Sequence, residues 1–133
     1  IEKTLSIIKP DAVERNLENE IKKEFVNKGF KIAKEKKIQL AKFEAEEFYK
    51  VHETKPFYND LCAYLSSGPI VVMILEKEGA VTANRELMGA TDPKKAEVGT
   101  LRKKFGVSID KNSVHGSDSV ENAKIEVNFF FKD

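Results

Sequence analysis

The order of its periodic segments predicts an α+β fold for this chain: a ferredoxin-like four-stranded antiparallel sheet with helices packed on it. Segments in which apolar residues alternate with polar ones, or run together, indicate strands, and apolar residues three and four apart indicate helices. Their order along the chain is β-α-β-α-α-β-α-loop-β-α. The 133 residues fit one domain, residues 1–133, with its own core. We expect the helices to cover one face of the sheet.

The first two predicted strands enclose a helix. Residues 3–10 (KTLSIIKP) alternate apolar and polar side chains and stop at a proline, as a strand does. Residues 17–30 have the helical period, and Gly29 is placed to cap that helix. Residues 30–40 (FKIAKEKKIQL) alternate again and indicate the second strand. The apolar positions of the helix are Leu17, Ile21, Phe25 and Val26.

The middle of the chain predicts two helices, a central strand and a third helix. Residues 42–53 (KFEAEEFYKVHE) are amphipathic, and residues 55–68 restart a helix after Pro56. Residues 69–75 (PIVVMIL) form a short continuous apolar run, which is typical of a strand covered on both sides. Residues 79–90 (GAVTANRELMGA) read as a helix between glycines.

The last third of the chain begins with a long stretch of little periodicity, residues 91–112, and loops of this length are usually functional or disordered. Residues 113–131 then predict a short strand and a final helix. Asp118 and Glu121 have the spacing of a capping box, so we expect the helix to start near Ser119. The predicted buried stripe of this helix is Val120, Ala123, Val127, Phe130 and Phe131.

The composition favours a globular, intracellular protein. Apolar residues make up 41% and charged residues 34%, and the net charge of +1 gives no global attraction to nucleic acid. Cys62 is the single cysteine, which excludes an intrachain disulfide and indicates a half-buried helix position. No apolar run approaches the ~20 residues of a membrane span, and the N-terminus lacks the apolar core of a secretion signal. We therefore expect a cytoplasmic protein without a membrane partner.

One of the two histidines, His115, stands in a run of small polar residues, NSVHGSDS, before the predicted final helix. Helical side chains lean toward the N-terminus, so Glu126 should point back toward this segment. A carboxylate on one ring nitrogen fixes the tautomer and leaves the other nitrogen as a nucleophile. Gly116 would give an incoming group room, and the helix start would favour an anion. The alternative is a histidine that merely ends a strand.

The NSVHGSDS segment, together with TLSIIKPD at residues 4–11, resembles nucleoside diphosphate kinases. The signature of that family is Asn-x-x-His-Gly-Ser-Asp followed by a small residue. The resemblance covers essentially the whole chain in the family's order. Its further motifs are KPFY, SGPIVVMILE, the Thr-x-Pro and GTLR segments of the long loop, and HGSDSVE.

The resemblance implies a two-step reaction, in which His115 takes the γ-phosphoryl group of a nucleoside triphosphate and passes it to a nucleoside diphosphate. Glu126 would orient the imidazole ring, and Ser117 would support that carboxylate. Tyr49 would border the histidine. Lys9 would contact the γ-phosphate and the ribose hydroxyls. These five side chains form the implied catalytic set.

The resemblance also implies a nucleotide site. Arg85, Thr91 and Arg102 would hold the β- and γ-phosphates, and His52 would face the α-phosphate. The remaining contacts would be Asn112 to the sugar 3′-hydroxyl, Phe57 stacked on the base, and Leu61 and Ile109 completing a shallow clamp. Stacking accepts any base, because every base has a π-face, and this suits broad specificity.

The implied cofactor is Mg²⁺ and the implied partners are ATP and other nucleoside tri- and diphosphates. The chain has no GxxxxGK[ST] loop and no acidic ligand cluster, so we expect no dedicated metal ligands and a Mg²⁺ carried by the nucleotide phosphates. Family members are mostly hexamers or tetramers, so we expect a homo-oligomer. No specific nucleic acid is expected.

Two other classes of function compete with this interpretation. An RNA-recognition domain shares the ferredoxin-like order, and KGFKIAKE begins like its basic-Gly-aromatic motif, but Lys31 and Ile32 stand where a small residue and a further aromatic should follow. A histidine phosphocarrier, or a nuclease using His115 as an acid or base, is the other alternative.

Overall fold

A four-stranded antiparallel sheet organises the computed structural model, which describes residues 1–109 and 111–131. Its strands follow the order β2-β3-β1-β4, and each neighbouring pair is antiparallel. This is the ferredoxin-like order, so the predicted fold class is confirmed. The strands are β1 (Glu2–Ile8), β2 (Lys31–Ile38), β3 (Ile70–Lys77) and β4 (Val114–Gly116).

Helices connect these strands, and two of them were not predicted. The first, α1, begins with a proline at the predicted end of β1, because the fixed φ of proline suits the first helical position. The second, α6, lies in the long loop, where Thr100 Oγ1 accepts the amide hydrogen of Lys103 at 3.3 Å. The helices are α1 (Pro10–Glu14), α2 (Glu18–Asn27), α3 (Lys42–Phe48), α4 (Tyr58–Leu65), α5 (Ala80–Met88), α6 (Leu101–Phe105) and α7 (Val120–Phe130).

The helices pack on both faces of the sheet, so the expectation of one covered face is wrong. Helices α1, α2, α5 and α6 contribute to one hydrophobic cluster, and α3, α4 and α7 contribute to the other. Strand β3 contributes residues to both clusters, with Val71 and Met73 in the first and Ile70 and Val72 in the second. A strand that is apolar on both sides needs cover on both sides, which is what its continuous apolar run indicates.

Three details of the helices differ from the sequence prediction. Ser119 caps α7, since its Oγ accepts the amide hydrogen of Asn122 at 3.0 Å, while Asp118 accepts from the Asn122 side chain. Val120, in the first turn of α7, is 46% exposed. Val26 is 58% exposed because it lies one residue, about 100° of helical rotation, beyond the buried Phe25.

Cys62 is fully buried within α4, in the second hydrophobic cluster, rather than half-buried. Across residues 1–109 and 111–131, no helix has both the length and the apolar character needed to span a bilayer.

Candidate active site

Strand β4 carries His115 at the centre of the site. His115 is paired with Ile7 of β1, so its side chain lies on the same face of the sheet as that buried isoleucine. Its neighbour Val114 belongs to the cluster on the opposite face. The alternation of a strand therefore directs the imidazole toward the side covered by α3, α4 and α7.

Gly116 has a structural reason that was not predicted. A Cβ atom at this position would lie 2.3 Å from Asn84 Nδ2 and 2.7 Å from Met88 Cε, both on α5. The missing side chain thus lets α5 pack closely against β4. Gly116 also lines a cavity described below, and the expectation that it gives an incoming group room stays a prediction.

His115, Glu126 and Ser117 form one hydrogen-bonded group. Glu126 Oε1 lies 2.9 Å from His115 Nε2 and accepts the Ser117 hydroxyl hydrogen, also at 2.9 Å. The Leu5 amide donates to Ser117 Oγ at 3.3 Å, which fixes the hydroxyl in turn. Because a carboxylate only accepts, the imidazole hydrogen belongs on Nε2, and Nδ1 keeps a free lone pair. The backward lean of Glu126 is as the helix geometry predicted.

An aromatic contact that sequence reasoning missed holds the imidazole from another side. The rings of Phe48 and His115 meet edge-on, with centroids 5.4 Å apart. Phe48 also contacts Phe129 and Phe130 of α7. The sequence places Phe48 beside Tyr49, but no spacing rule connects it to a histidine so much later in the chain.

Tyr49 is buried and packs against Phe48, with centroids 5.0 Å apart. Burial raises the pKa of its hydroxyl far above the ordinary value, and the nearby Glu126 carboxylate raises it further. Tyr49 is therefore a neutral phenol near the Glu126 carboxylate, whereas the ring in edge-on contact with His115 is that of Phe48.

Three further predicted residues form a chain of hydrogen bonds. Lys9, at the end of β1, is only 6% exposed, and its Nζ donates to Asn112 Oδ1 at 2.9 Å. The amide nitrogen of Asn112 donates to the Thr91 carbonyl at 3.1 Å. The structure thus brings together Lys9, which was predicted to contact phosphate and ribose, Asn112, which was predicted to contact the sugar, and Thr91, which was predicted to hold phosphates.

Arg85, Thr91 and Arg102 line one cavity of about 520 Å³, together with Gly116 next to His115. The Arg102 guanidinium donates to the carbonyls of Gly89 and Val114, each at 3.0 Å. Burial lowers the pKa of Arg102 to about 10, so it stays a cation at neutral pH. Its Nε is buried without a hydrogen-bond partner among the described residues. The two guanidinium groups that line this cavity are suited to binding phosphate oxygens.

Phe57 and Leu61 line a second cavity, of about 410 Å³, with Tyr64. Phe57 is 47% exposed, so one part of its ring is available for stacking. His52 lies between Tyr49 and Phe57, with ring centroids 6.3 and 6.1 Å away. Ile109 is 56% exposed, and its contact with a base stays a prediction.

The donor set fits a metal ion that is bound mainly by the phosphates of a nucleotide. Within the described ranges, no group of three or more His, Cys, Asp or Glu side chains could hold a metal ion. Asp118 and Glu86 line the cavity of Arg85 and Arg102. Two carboxylates among cations can assist such an ion, whereas phosphate oxygens are its natural main ligands.

Comparison with known proteins gives a consistent result. The family model for nucleoside diphosphate kinase matches residues 2–133. The nucleoside diphosphate kinase of Campylobacter jejuni serotype O:6 is 58% identical over 132 residues, covering 99% of this chain and 96% of its own. That of Anaeromyxobacter dehalogenans strain 2CP-1 is 59% identical over 131 residues, covering 98% and 89%.

Two solved structures agree with this at the level of the fold. The nucleoside diphosphate kinase of Aquifex aeolicus superposes with a TM-score of 0.96 at 40% identity, covering 98% of this chain and 95% of its own. That of Encephalitozoon cuniculi, in its apo form, also has a TM-score of 0.96, at 37% identity, covering 100% and 90%.

The class of protein defined by this fold and these sequence matches is a nucleotide phosphotransferase. The chain belongs to the nucleoside diphosphate kinase family. It is therefore an enzyme.

Proposed function

We propose that the protein transfers the γ-phosphoryl group of a nucleoside triphosphate, typically ATP, to a nucleoside diphosphate through a phosphohistidine at His115. The observation that carries this proposal is the bond between His115 Nε2 and Glu126 Oε1. This hydrogen bond engages Nε2 and leaves the lone pair of Nδ1 available for attack on phosphorus. Ser117, bonded to the same carboxylate oxygen, keeps Glu126 in place.

The two half-reactions are the reverse of each other. In the first, Nδ1 forms a bond to the γ-phosphorus, the bond from that phosphorus to the β–γ bridging oxygen breaks, and a nucleoside diphosphate leaves. In the second, a terminal phosphate oxygen of another nucleoside diphosphate attacks the phosphohistidine, and the N–P bond breaks. While the ring carries the phosphoryl group, Glu126 stabilises the charge on the imidazole.

Phosphoryl transfer depends mostly on positioning and on charge near the equatorial oxygens. Arg85, Thr91 and Arg102, which share one cavity, are proposed to hold the β- and γ-phosphates. Lys9 is proposed to bind the γ-phosphate and the ribose hydroxyls, and His52 to face the α-phosphate. Arginine is suited to this role because its planar fork matches phosphate oxygens.

The remaining contacts are proposed to give broad base and sugar specificity. Phe57 would stack on the base, and Leu61 and Ile109 would complete the clamp, so that no hydrogen bond reads the base edge. Asn112 would accept or donate to the sugar 3′-hydroxyl. Tyr49, kept neutral by burial, would border the reacting ring without adding a negative charge beside the phosphates.

The proposal includes features that the family resemblance implies. Mg²⁺ bound to the nucleotide would neutralise part of the charge on the β- and γ-phosphates. Residues 1–133 would act as one catalytic domain, in a homo-oligomer that is a hexamer or a tetramer. The expected location is the cytoplasm. Light scattering of the purified protein tests the oligomer directly.

Steady-state exchange between ATP and GDP tests the mechanism. Varying both substrates should give parallel lines in double-reciprocal plots, as a phosphoenzyme intermediate requires. His115→Asn should lose exchange by about 10³-fold or more, whereas His52→Asn, the matched change at the other histidine, should keep a measurable rate. Intersecting lines, or full activity in His115→Asn, would overturn the proposal.

A further inference from the structure

A second polar cluster lies beside the site and is centred on Asp11 of α1. Asp11 is 7% exposed, and its carboxylate receives three donors. The Tyr64 hydroxyl of α4 donates to Oδ1, and Ser113 Oγ and Arg15 Nη2 donate to Oδ2 at 2.8 and 3.0 Å. The Asp11 amide also donates to the Tyr64 hydroxyl oxygen, at 3.0 Å. A buried carboxylate with this many donors is a fixed structural element.

Arg15 extends the cluster to the long loop. Its Nη2 lies 2.6 Å from the Phe105 carbonyl at the end of α6 and 3.1 Å from Ser113 Oγ, and its Nε donates to the Asp11 carbonyl at 3.0 Å. Ser113 Oγ is also 3.0 Å from the Phe105 carbonyl. The cluster therefore joins α1, α4, the end of α6 and the residue that precedes β4.

Ser113 is the member that reaches the proposed nucleotide site. Its φ of 75° lies in the left-handed region, which a residue with a side chain rarely adopts unless its surroundings hold it there. Its carbonyl accepts the Lys9 amide hydrogen at 2.8 Å. The preceding residue, Asn112, accepts the Lys9 side chain at 2.9 Å. The backbone of Ser113 thus sets the positions of both Lys9 and Asn112.

We propose that Asp11 is a positioning residue for the sugar and the γ-phosphate: through Ser113 and Arg15 it holds Asn112 and Lys9 where they meet the nucleotide. The inference rests on the proposed function and deepens it. Asp11 itself touches neither substrate nor the reacting nitrogen. Its effect is to orient the side chains of Asn112 and Lys9. Misplacement of such groups by about 1 Å can cost about 100-fold in rate.

The comparison of ATP with 3′-deoxy-ATP as phosphoryl donors, with GDP as acceptor, tests this inference. Wild-type protein should prefer ATP, because Asn112 is aligned with the 3′-hydroxyl. In Asp11→Asn and Ser113→Ala, the ratio of the two kcat/KM values should fall by about tenfold. Ser113→Gly should lose less than Ser113→Ala, since glycine adopts a positive φ without strain.

A stability control separates positioning from simple loss of fold. Lys23→Gly, at an exposed position in the middle of α2, lowers helix propensity and touches no member of the cluster. It should lower the unfolding midpoint and leave the ATP preference unchanged. If Asp11→Asn does not fold, Ser113→Ala, which keeps both charges of the cluster, decides the question.

An unchanged ATP preference in folded Asp11→Asn and Ser113→Ala would overturn the inference while leaving the proposed function intact. A wild-type protein that exchanges phosphate with equal efficiency from both donors would also overturn it. Absence of exchange in the wild-type protein would instead overturn the proposed function, and the inference with it.

Discussion

Glu126 and His115, separated by eleven positions in the chain, share a hydrogen bond of 2.9 Å that joins strand β4 to the second turn of the final helix. Forming this bond costs little additional conformational freedom, because the carboxylate is also held by Ser117 and the ring is also held by Phe48. The imidazole therefore has one tautomer and one orientation before any substrate arrives. Such preorganisation is what a nucleophile in phosphoryl transfer needs.

Replacement of Glu126 should slow chemistry and spare nucleotide binding. We expect Glu126→Ala to reduce phosphohistidine formation by about 10- to 100-fold, the range for losing a hydrogen bond to a charged group. Single-turnover labelling from ATP measures this, and ATP affinity measured in parallel should stay within about threefold. Glu121→Ala, an exposed change on the same helix, is the control. Equal labelling rates in the two variants would show that His115 needs no orienting carboxylate.

Ser117→Ala and Ser119→Ala form a matched pair on either side of Asp118. Ser117→Ala leaves the buried Leu5 amide without its side-chain acceptor, which costs about 1–3 kcal/mol of unfolding free energy, and it should also slow exchange. Ser119→Ala removes the cap of α7 and costs about 1 kcal/mol without slowing exchange. Urea unfolding and exchange rates measure both. A loss of activity in Ser119→Ala as large as in Ser117→Ala would contradict this division.

Gly116→Ala should destabilise the fold by overpacking. Its Cβ would meet Asn84 Nδ2 at 2.3 Å, so α5 must move away from β4, at a cost of about 1–3 kcal/mol. At Gly68 a Cβ would find only Pro10 Cβ, at an ordinary 3.7 Å, so Gly68→Ala is the control. Urea unfolding of both variants decides: similar midpoints for the two would mean that α5 accommodates the extra methyl group.

Alkaline pH should destabilise the protein through its tyrosines. Burial raises the pKa of Tyr49 and Tyr64 well above the ordinary 10.0, so the folded state keeps protons that the unfolded state loses. The stability that these two tyrosines contribute is present below pH 10 and is lost as the pH rises toward their pKa values in the folded protein. Arg102 has the opposite effect. Its pKa is lowered to about 10, so the folded state loses this proton first, and its contribution to the unfolding free energy increases as the pH rises; it is, however, one group against two tyrosines.

We therefore expect the unfolding free energy to fall between about pH 9 and about pH 11, with tyrosinate absorbance appearing mainly on unfolding. Tyr49→Phe should flatten the fall. A tyrosinate signal from all three tyrosines in the folded protein near pH 10 would contradict the expectation.

The order of the elements along the chain and the His115–Glu126 contact were predictable because both follow from local rules. Period-2 and period-3.6 patterns mark the elements, and the lean of helical side chains brings Glu126 back over eleven residues to His115. The covering of both sheet faces was indicated by the continuous apolar run of β3, but the helical patterns alone do not say which face each helix takes.

The parts that could not be predicted depend on contacts distant in sequence. The bond of Tyr64 to Asp11 spans 53 positions and that of Ser113 to Asp11 spans 102. The reason for Gly116 lies on α5, in an asparagine and a methionine that carry no motif. The cap of α7 was misassigned by one residue, because Asp118 and Ser119 are both good caps and the backbone decides between them.

The phosphohistidine is best tested by the intact mass of the protein after incubation with Mg-ATP alone. We expect a mass increase of one phosphoryl group, labile to acid, located at His115 and absent from His115→Asn. Addition of GDP should remove that mass as GTP appears. Transfer from ATP to GDP by a wild-type protein that never gains the mass would rule out the phosphohistidine, since the phosphoryl group would then pass directly between nucleotides.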